Sequence, residues 1–229
     1  MNVAKILGDH FLLLQRNDDA IKNYHLALMM ADEVNDFAPH ISEITGKVQN
    51  NTGLALKAKG FLEAAMASFS KSLVSQLLAK NNNIDTALTI NNLGSCHFDL
   101  GQYEAALNLF KRCLNIYKEI KQTETEFDRE IGKVHNNVAL CYMEIGRYPE
   151  ALENFHKYLD LMGKEGRDLP RVLNNIANCY SRMDRIPKGA FINHMDFKNG
   201  PESVLSIFCY SKRFVLNMVQ NRYSKVHGL

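Results

Sequence analysis

Two adjacent asparagines, followed by an apolar and then a small residue, occur four times in this chain. The copies recur about every 40 residues, and in the first of them a threonine takes the apolar place. Internal repetition at such a period is typical of solenoids, in which each unit buries its apolar surface against its neighbours. The repeat therefore constrains the architecture more strongly than any local pattern does. The four copies are Asn50–Gly53, Asn91–Gly94, Asn136–Ala139 and Asn174–Ala177.

Other positions of the repeat fall into the same register. Seven residues after the small residue stand Gly60, Gly101 and Gly146, which predict a helix stop and a tight turn. An alanine stands twelve residues after the small residue, so that two helices can approach closely. An aromatic ring follows at the sixteenth place and is predicted to fill the core. The alanines are Ala20, Ala65, Ala106 and Ala151, and the rings are Tyr24, Phe69, Phe110 and Phe155.

Apolar residues at helical spacing, such as Leu107, Phe110 and Leu114, indicate that each copy is a pair of helices. The order of glycine, aromatic, alanine and aromatic residues resembles the tetratricopeptide repeat, and the resemblance covers residues 1–183. The long copies with paired asparagines are similar to the kinesin light chain and LGN adaptor group. The resemblance implies an all-α fold, a right-handed superhelical solenoid of antiparallel helix pairs.

The chain is predicted to divide into three parts. Residues 1–183 form four full repeats and the first helix of a fifth. Residues 184–201 contain Pro187, Gly189 and Gly200 and are expected to be irregular. Residues 202–229 are expected to form a capping or atypical helix. Two alternatives stay open: the last segment is a non-native end, or the chain is a piece of a longer array.

Composition excludes several classes of function. The chain has 229 residues, of which 27 are basic and 25 acidic, so no net field indicates nucleic acid or an anionic membrane as a partner. No apolar run reaches the about 18 residues of a membrane span, and the first residues do not resemble a signal peptide. We therefore expect an intracellular, cytoplasmic protein in a reducing compartment, whose partners are other proteins.

The cysteines and the known catalytic motifs indicate no reaction. Three of the five cysteines, Cys96, Cys141 and Cys179, recur at one place of the repeat. They would lie about one repeat apart, too far for a disulfide, and are predicted to pack in a reduced interior. No CxxC pair, phosphate-binding loop or hydrolase motif is present. We therefore predict no metal, no cofactor and no enzymatic activity.

The resemblance also implies that the first helix of each pair lines a concave groove. A carboxamide both donates and accepts hydrogen bonds, as an extended peptide backbone requires. Basic residues in the same groove would attract an acidic segment. In the alternative interpretation, one asparagine of each pair only braces a neighbouring helix; this applies above all to Asn51, Asn92, Asn137 and Asn175. The predicted peptide-binding residues are Lys47, Asn50, Asn91, Lys133, Asn136, Arg171, Asn174 and Asn178.

These observations favour a non-enzymatic scaffold or adaptor that binds an extended partner segment, including acidic residues, in its groove. The alternative is a structural component that self-associates through an open end of the array or through the tail. If the asparagines only face solvent and ligand, Asn136→Ala should change stability by no more than ~0.5 kcal/mol.

Overall fold

The computed structural model describes residues 1–34, 39–79, 84–120, 126–162 and 169–184. Within these ranges the chain forms nine α-helices and no strand. The helices, numbered in chain order, are α1 (Asn2–Leu13), α2 (Asn17–Val34), α3 (Pro39–Ala58), α4 (Leu62–Leu78), α5 (Ile84–Asp99), α6 (Tyr103–Ile120), α7 (Asp128–Glu144), α8 (Tyr148–Met162) and α9 (Leu169–Asp184).

The first eight helices form four pairs, and a short turn joins the two helices of each pair. Helices α1 and α2, α3 and α4, α5 and α6, and α7 and α8 pack against each other. Successive pairs meet through α2 with α3, α4 with α5, and α6 with α7, while α1, α3, α5 and α7 also contact one another in sequence. This stacking confirms the predicted all-α solenoid of helix pairs, with the first helix of each pair on one side.

The chain divides into two compact units, residues 1–163 and residues 164–229. The first unit contains α1 to α8, and α9 is the described part of the second. The assignment of residues 1–183 to one array stays a prediction. The predicted segments 184–201 and 202–229 lie outside the described residues, apart from Asp184 at the end of α9.

The turn inside each pair explains the repeated glycine. Gly60, Gly101 and Gly146 have φ angles of +83°, +74° and +82°, and a Cβ added to any of them would meet nothing within 4 Å. The backbone conformation, rather than lack of space, therefore requires glycine. In the turn at Gly101, the amide of Gly101 donates to the carbonyl of Phe98 and the amide of Gln102 donates to that of His97, which completes a Schellman motif. The predicted helix stops are confirmed.

The repeated small residue and the repeated ring pack directly against each other. The rings of Tyr24, Phe69, Phe110 and Phe155 are at most 1% exposed, which confirms the predicted core. A Cβ built on Gly94 would lie 2.7 Å from the ring of Phe110, so a side chain at this place would displace the ring. Gly8 and Gly53 stand equally close to the rings of their own repeats. Glycine here sets the distance between the two helices of a pair.

Candidate functional site

The paired asparagines link neighbouring repeats through their side chains. Nδ2 of Asn92 donates to Oδ1 of Asn50 at 3.0 Å, and Nδ2 of Asn137 donates to Oδ1 of Asn91 at 3.0 Å. The second asparagine of one repeat thus reaches back to the first asparagine of the repeat before it. We call Asn92 with Asn50, and Asn137 with Asn91, the carboxamide pairs. The interpretation of the second asparagine as a brace therefore describes a real contact.

The first repeat forms the same link with different residues. Nδ2 of Asn51 donates to Oδ1 of Asp9 at 2.8 Å, and the hydroxyl of Tyr24 donates to the same oxygen at 2.8 Å. Lys5 forms an ion pair with the other carboxylate oxygen at 2.6 Å. Burial alone would raise the pKa of Asp9, but the hydrogen bonds from Lys5, Tyr24 and Asn51 outweigh it and hold that pKa below its usual value.

The carboxamide pairs keep hydrogen-bonding groups that are available to a ligand, although in the Asn92–Asn50 pair one N–H of Asn50 donates to Oδ1 of Asn51 at 3.2 Å. In the Asn137–Asn91 pair, no hydrogen bond within the described ranges uses Nδ2 of Asn91 or Oδ1 of Asn137. Both residues are half-buried and lie on α5 and α7. We call the first helices of the pairs, α1, α3, α5 and α7, the inner helices, and their partners α2, α4, α6 and α8 the outer helices. Because one carboxamide donates to the other, the linked pair retains one whole NH₂ group and one whole carbonyl oxygen that the link does not use. These two groups complement the C=O and the N–H of one residue in an extended strand.

Asn136 differs from the other predicted asparagines. It is only 6% exposed, and its buried Oδ1 accepts no hydrogen bond from any residue that the structure describes. The expectation that Asn136→Ala behaves like a surface substitution is therefore wrong, because the residue packs inside the array. Its predicted contact with a ligand stays a prediction.

The two predicted lysines of the first unit differ in their charge environment. Nζ of Lys47 lies 2.7 Å from Oε1 of Glu43 and 3.4 Å from Oδ2 of Asp85, so that two carboxylates offset its charge. The hydrogen bond to Glu43 is the main reason that the pKa of Lys47 is raised. Lys133 is exposed and forms no ion pair within the described residues. Lys133 is thus the better candidate for attracting an acidic segment.

The other three predicted residues lie on α9. Arg171, Asn174 and Asn178 are exposed, and their spacing places them on one face of the helix. Val172 and Ile176, on the opposite face, are fully buried. The structure brings the three predicted residues of α9 together on one surface.

A groove of about 230 Å³ lies beside the predicted residues of the second repeat. Its lining residues come from four helices, α1, α3, α4 and α5, and include the predicted residues Lys47 and Asn50. They also include Gln76 of the outer helix α4, which was not among the predicted residues. Gln76 lies seven residues after Phe69, where the other full copies carry Ala31, Tyr117 and Met162. A polar residue at an otherwise apolar place of the repeat was the available signal. The lining residues are Lys5, Lys47, Asn50, Asn51, Gln76, Asp85, Leu88 and Thr89.

The described residues offer little for catalysis. Cys96, Cys113, Cys141 and Cys179 are free and buried, as predicted for the three repeated cysteines. Burial raises the pKa of Cys113 and that of Cys141 to about 12, so neither thiol is a ready nucleophile. Burial also lowers the pKa of His135. The hydrogen bond between Nδ1 of His135 and Oδ1 of Asn154, at 2.9 Å, raises this pKa but does not offset the burial. Within the described ranges, no three metal-binding side chains cluster, and no helix has the length and apolar character to span a bilayer.

Comparison with known proteins agrees with this geometry. A family model described as the tetratricopeptide repeat matches residues 44–119, which contain α4, α5 and most of α3 and α6. Residues 44–119 are therefore a tetratricopeptide-repeat region. The structural resemblance of the neighbouring helix pairs extends the same repeat on both sides of the match.

Solved structures share the tetratricopeptide fold. The protein BtubC (BKLC) from P. vanneervenii is 18% identical, with a TM-score of 0.65 over 79% of this chain and 72% of that one. Nearly identical tetratricopeptide-like repeats of a kinesin light chain candidate from Podosopora anserina are 14% identical, with a TM-score of 0.66 over 100% and 96%. The apo form of RapI is 18% identical, with a TM-score of 0.69 over 97% and 73%. A comparison with curated proteins gave no match.

Proposed function

We propose that this tetratricopeptide chain is a non-enzymatic adaptor that binds an extended segment of another protein along its inner helices. The observation that carries the proposal is the amide nitrogen of Asn91 and the carbonyl oxygen of Asn137, neither of which forms a hydrogen bond within the described residues. In an extended strand the N–H and the C=O of one residue point to the same side, so one residue of the segment can bond both groups with two hydrogen bonds. The recognition would therefore depend on the backbone of the segment more than on its side chains.

The spacing of the carboxamide pairs supports an extended ligand. Packed helices lie about 8–10 Å apart, and one extended residue spans about 3.3 Å. Helices α3, α5 and α7 contact one another in sequence, so a pair recurs about every three residues of a bound strand. A helical segment rises only about 1.5 Å per residue and uses its backbone groups internally, so it would not match this spacing.

The charges on the inner helices indicate which type of residue the bound segment carries. Lys133 is exposed without an ion pair to any described residue, whereas Glu43 and Asp85 offset the charge of Lys47. We propose that an acidic residue of the segment lies near Lys133. Arg171 on α9 is the third basic residue of the predicted set.

Pull-down from cell extract tests the proposal, followed by calorimetry with the captured segment. Asn91→Ala and Asn137→Ala should each weaken binding about fivefold or more, since each removes a hydrogen bond worth about 1 kcal/mol. Asn108→Ala, an exposed asparagine on the outer helix α6, is the matched control and should bind like the parent. Binding that neither inner-helix variant affects would contradict the proposal.

A second candidate function has one observation in its favour. Helix α1 exposes several large apolar side chains, and Val3, Ile6 and Leu13 are 72%, 64% and 83% exposed. Such a surface suits self-association in a larger assembly. Light scattering of the parent and of Ile6→Glu tests this: a parent that associates and a variant that is monomeric would favour assembly over the adaptor.

A further inference from the structure

Gln76, which lines the groove beside the second repeat, has one buried side-chain atom without a hydrogen-bond partner in the described structure. Gln76 is 3% exposed, and its Nε2 lies 2.9 Å from Oγ1 of Thr89 and 3.2 Å from Oγ of Ser72. Oε1 of Gln76 is buried and accepts no hydrogen bond from the described part of the chain. Buried polar atoms are generally paired, so this acceptor points to a missing donor.

The orientation of the Gln76 carboxamide follows from its neighbours. The hydroxyl of Ser72 donates to the carbonyl of Gly46 at 2.7 Å, and the hydroxyl of Thr89 donates to the carbonyl of Asp85 at 2.8 Å. Each hydroxyl has a single hydrogen, so both must accept from Gln76. The nitrogen of Gln76 therefore faces the hydroxyls, and the oxygen cannot exchange places with it.

The charges around the groove exclude ionic ligands. A ligand cation would lie beside the ammonium groups of Lys5 and Lys47, which both line the groove. A ligand carboxylate would lie near Asp85 and would bring no donor to Oε1 of Gln76. A neutral group with both a donor and an acceptor fits, because each lysine keeps an N–H beyond those it gives to its carboxylate partners.

We propose that this groove receives a carboxamide side chain, asparagine or glutamine, from the segment that the inner helices bind. The ligand NH₂ donates to Oε1 of Gln76, and the ligand C=O accepts from Lys5 or Lys47. Gln76 belongs to the outer helix α4, so it lies deeper than the inner helices that would hold the backbone, and a side chain is needed to reach it. Because Oε1 is covered, a partly exposed lining residue, Lys47 or Leu88, must shift to admit the ligand. The inference rests on the proposed function and specifies one residue of its ligand.

Nuclear magnetic resonance titration tests the subsite without a partner protein. The probe is N-acetyl-glutamine-N-methylamide, and the matched probes carry glutamate, lysine, serine or glycine in the same blocked form. Since all probes share the same two backbone amides, their differences report the side chain alone. We expect the glutamine probe to shift the side-chain amide signals of Gln76, with a dissociation constant at least threefold below those of the other probes.

Two variants and a control complete the test. Gln76→Met removes the acceptor, and Leu88→Trp fills the groove from its rim; each should abolish the preference for glutamine. Lys71→Ala, on the exposed face of α4, should keep it. If Gln76→Met does not fold, Leu88→Trp alone decides. Equal or absent shifts for all probes, or an unchanged preference in Leu88→Trp, would overturn the inference.

The two proposals fail in different ways. A captured segment that binds in an Asn91-dependent manner, with no glutamine preference at Gln76, would refute the subsite and leave the adaptor in place. Absence of both signals would refute both.

Discussion

The hydrogen bond between Asn137 and Asn91 predicts an energetic coupling between two neighbouring repeats. Nδ2 of Asn137 lies 3.0 Å from Oδ1 of Asn91, and both residues are half-buried. A neutral hydrogen bond of this kind contributes about 0.5–1.5 kcal/mol net. Either alanine substitution removes the whole bond, and the double substitution removes it only once. The coupling in a double-mutant cycle should therefore be about 1 kcal/mol.

Urea unfolding of the parent, Asn91→Ala, Asn137→Ala and the double variant measures this coupling. Equal m-values among the four proteins show that the same transition is compared, which matters because repeat arrays depart from two-state unfolding more readily than compact domains do. The control cycle joins Asn137→Ala with Asn108→Ala, whose exposed side chain lies on α6 and forms no hydrogen bond with Asn137 in the described structure. A coupling below about 0.3 kcal/mol in the first cycle would refute the link, since that is the error of additivity between independent sites.

Three further predictions concern the fold. Gly94→Ala places a Cβ 2.7 Å from the ring of Phe110 and should lower the free energy of unfolding by about 1–3 kcal/mol, measured with denaturant. Gly101→Ala should lower it by about 1 kcal/mol, because of the positive φ alone. A larger loss for Gly101→Ala than for Gly94→Ala would contradict the packing argument. Gln15 has φ 58° at the corresponding turn, so Gln15→Gly should raise the melting temperature; a decrease would contradict this. The pKa of Asp9 is lower in the folded than in the unfolded chain. The contribution of its carboxylate to the free energy of unfolding is therefore complete above the unfolded pKa of about 3.9 and is lost as the pH falls towards the folded pKa. Asp9→Asn should remove this part of the pH dependence, which is measured as the free energy of unfolding against pH.

The fold could be predicted because each structural requirement repeats in the sequence. A positive φ selects Gly101, a close ring selects Gly94, and a buried space between helices selects Phe110. Each requirement is local or lies within one helix pair, so that a fixed offset along the chain reports it. Several copies in register then separate the pattern from chance.

The candidate site was harder to predict from the sequence than the fold, because its geometry depends on contacts between repeats. The sequence shows two adjacent asparagines, but not that Asn137 turns back towards Asn91 while its neighbour Asn136 is buried. Residues next to each other on a helix point about 100° apart, and small rotations of the stacked helices decide which of them is exposed. Gln76 reaches the groove from the outer helix, a position that the general rule of groove-lining inner helices does not include.

The adaptor proposal states that the inner helices bind the backbone of the partner segment. An amide-to-ester scan of the captured segment, with affinities measured by calorimetry, tests this most directly. Replacing one peptide N–H by an ester oxygen removes a single donor and preserves every side chain. The proposal predicts about a fivefold to tenfold loss of affinity at positions about three residues apart, one for each carboxamide pair. With Asn137→Ala the loss should disappear at the position of the Asn137–Asn91 pair and persist at that of the Asn92–Asn50 pair. Ester substitutions that all bind like the parent peptide, with side-chain substitutions that abolish binding, would contradict it.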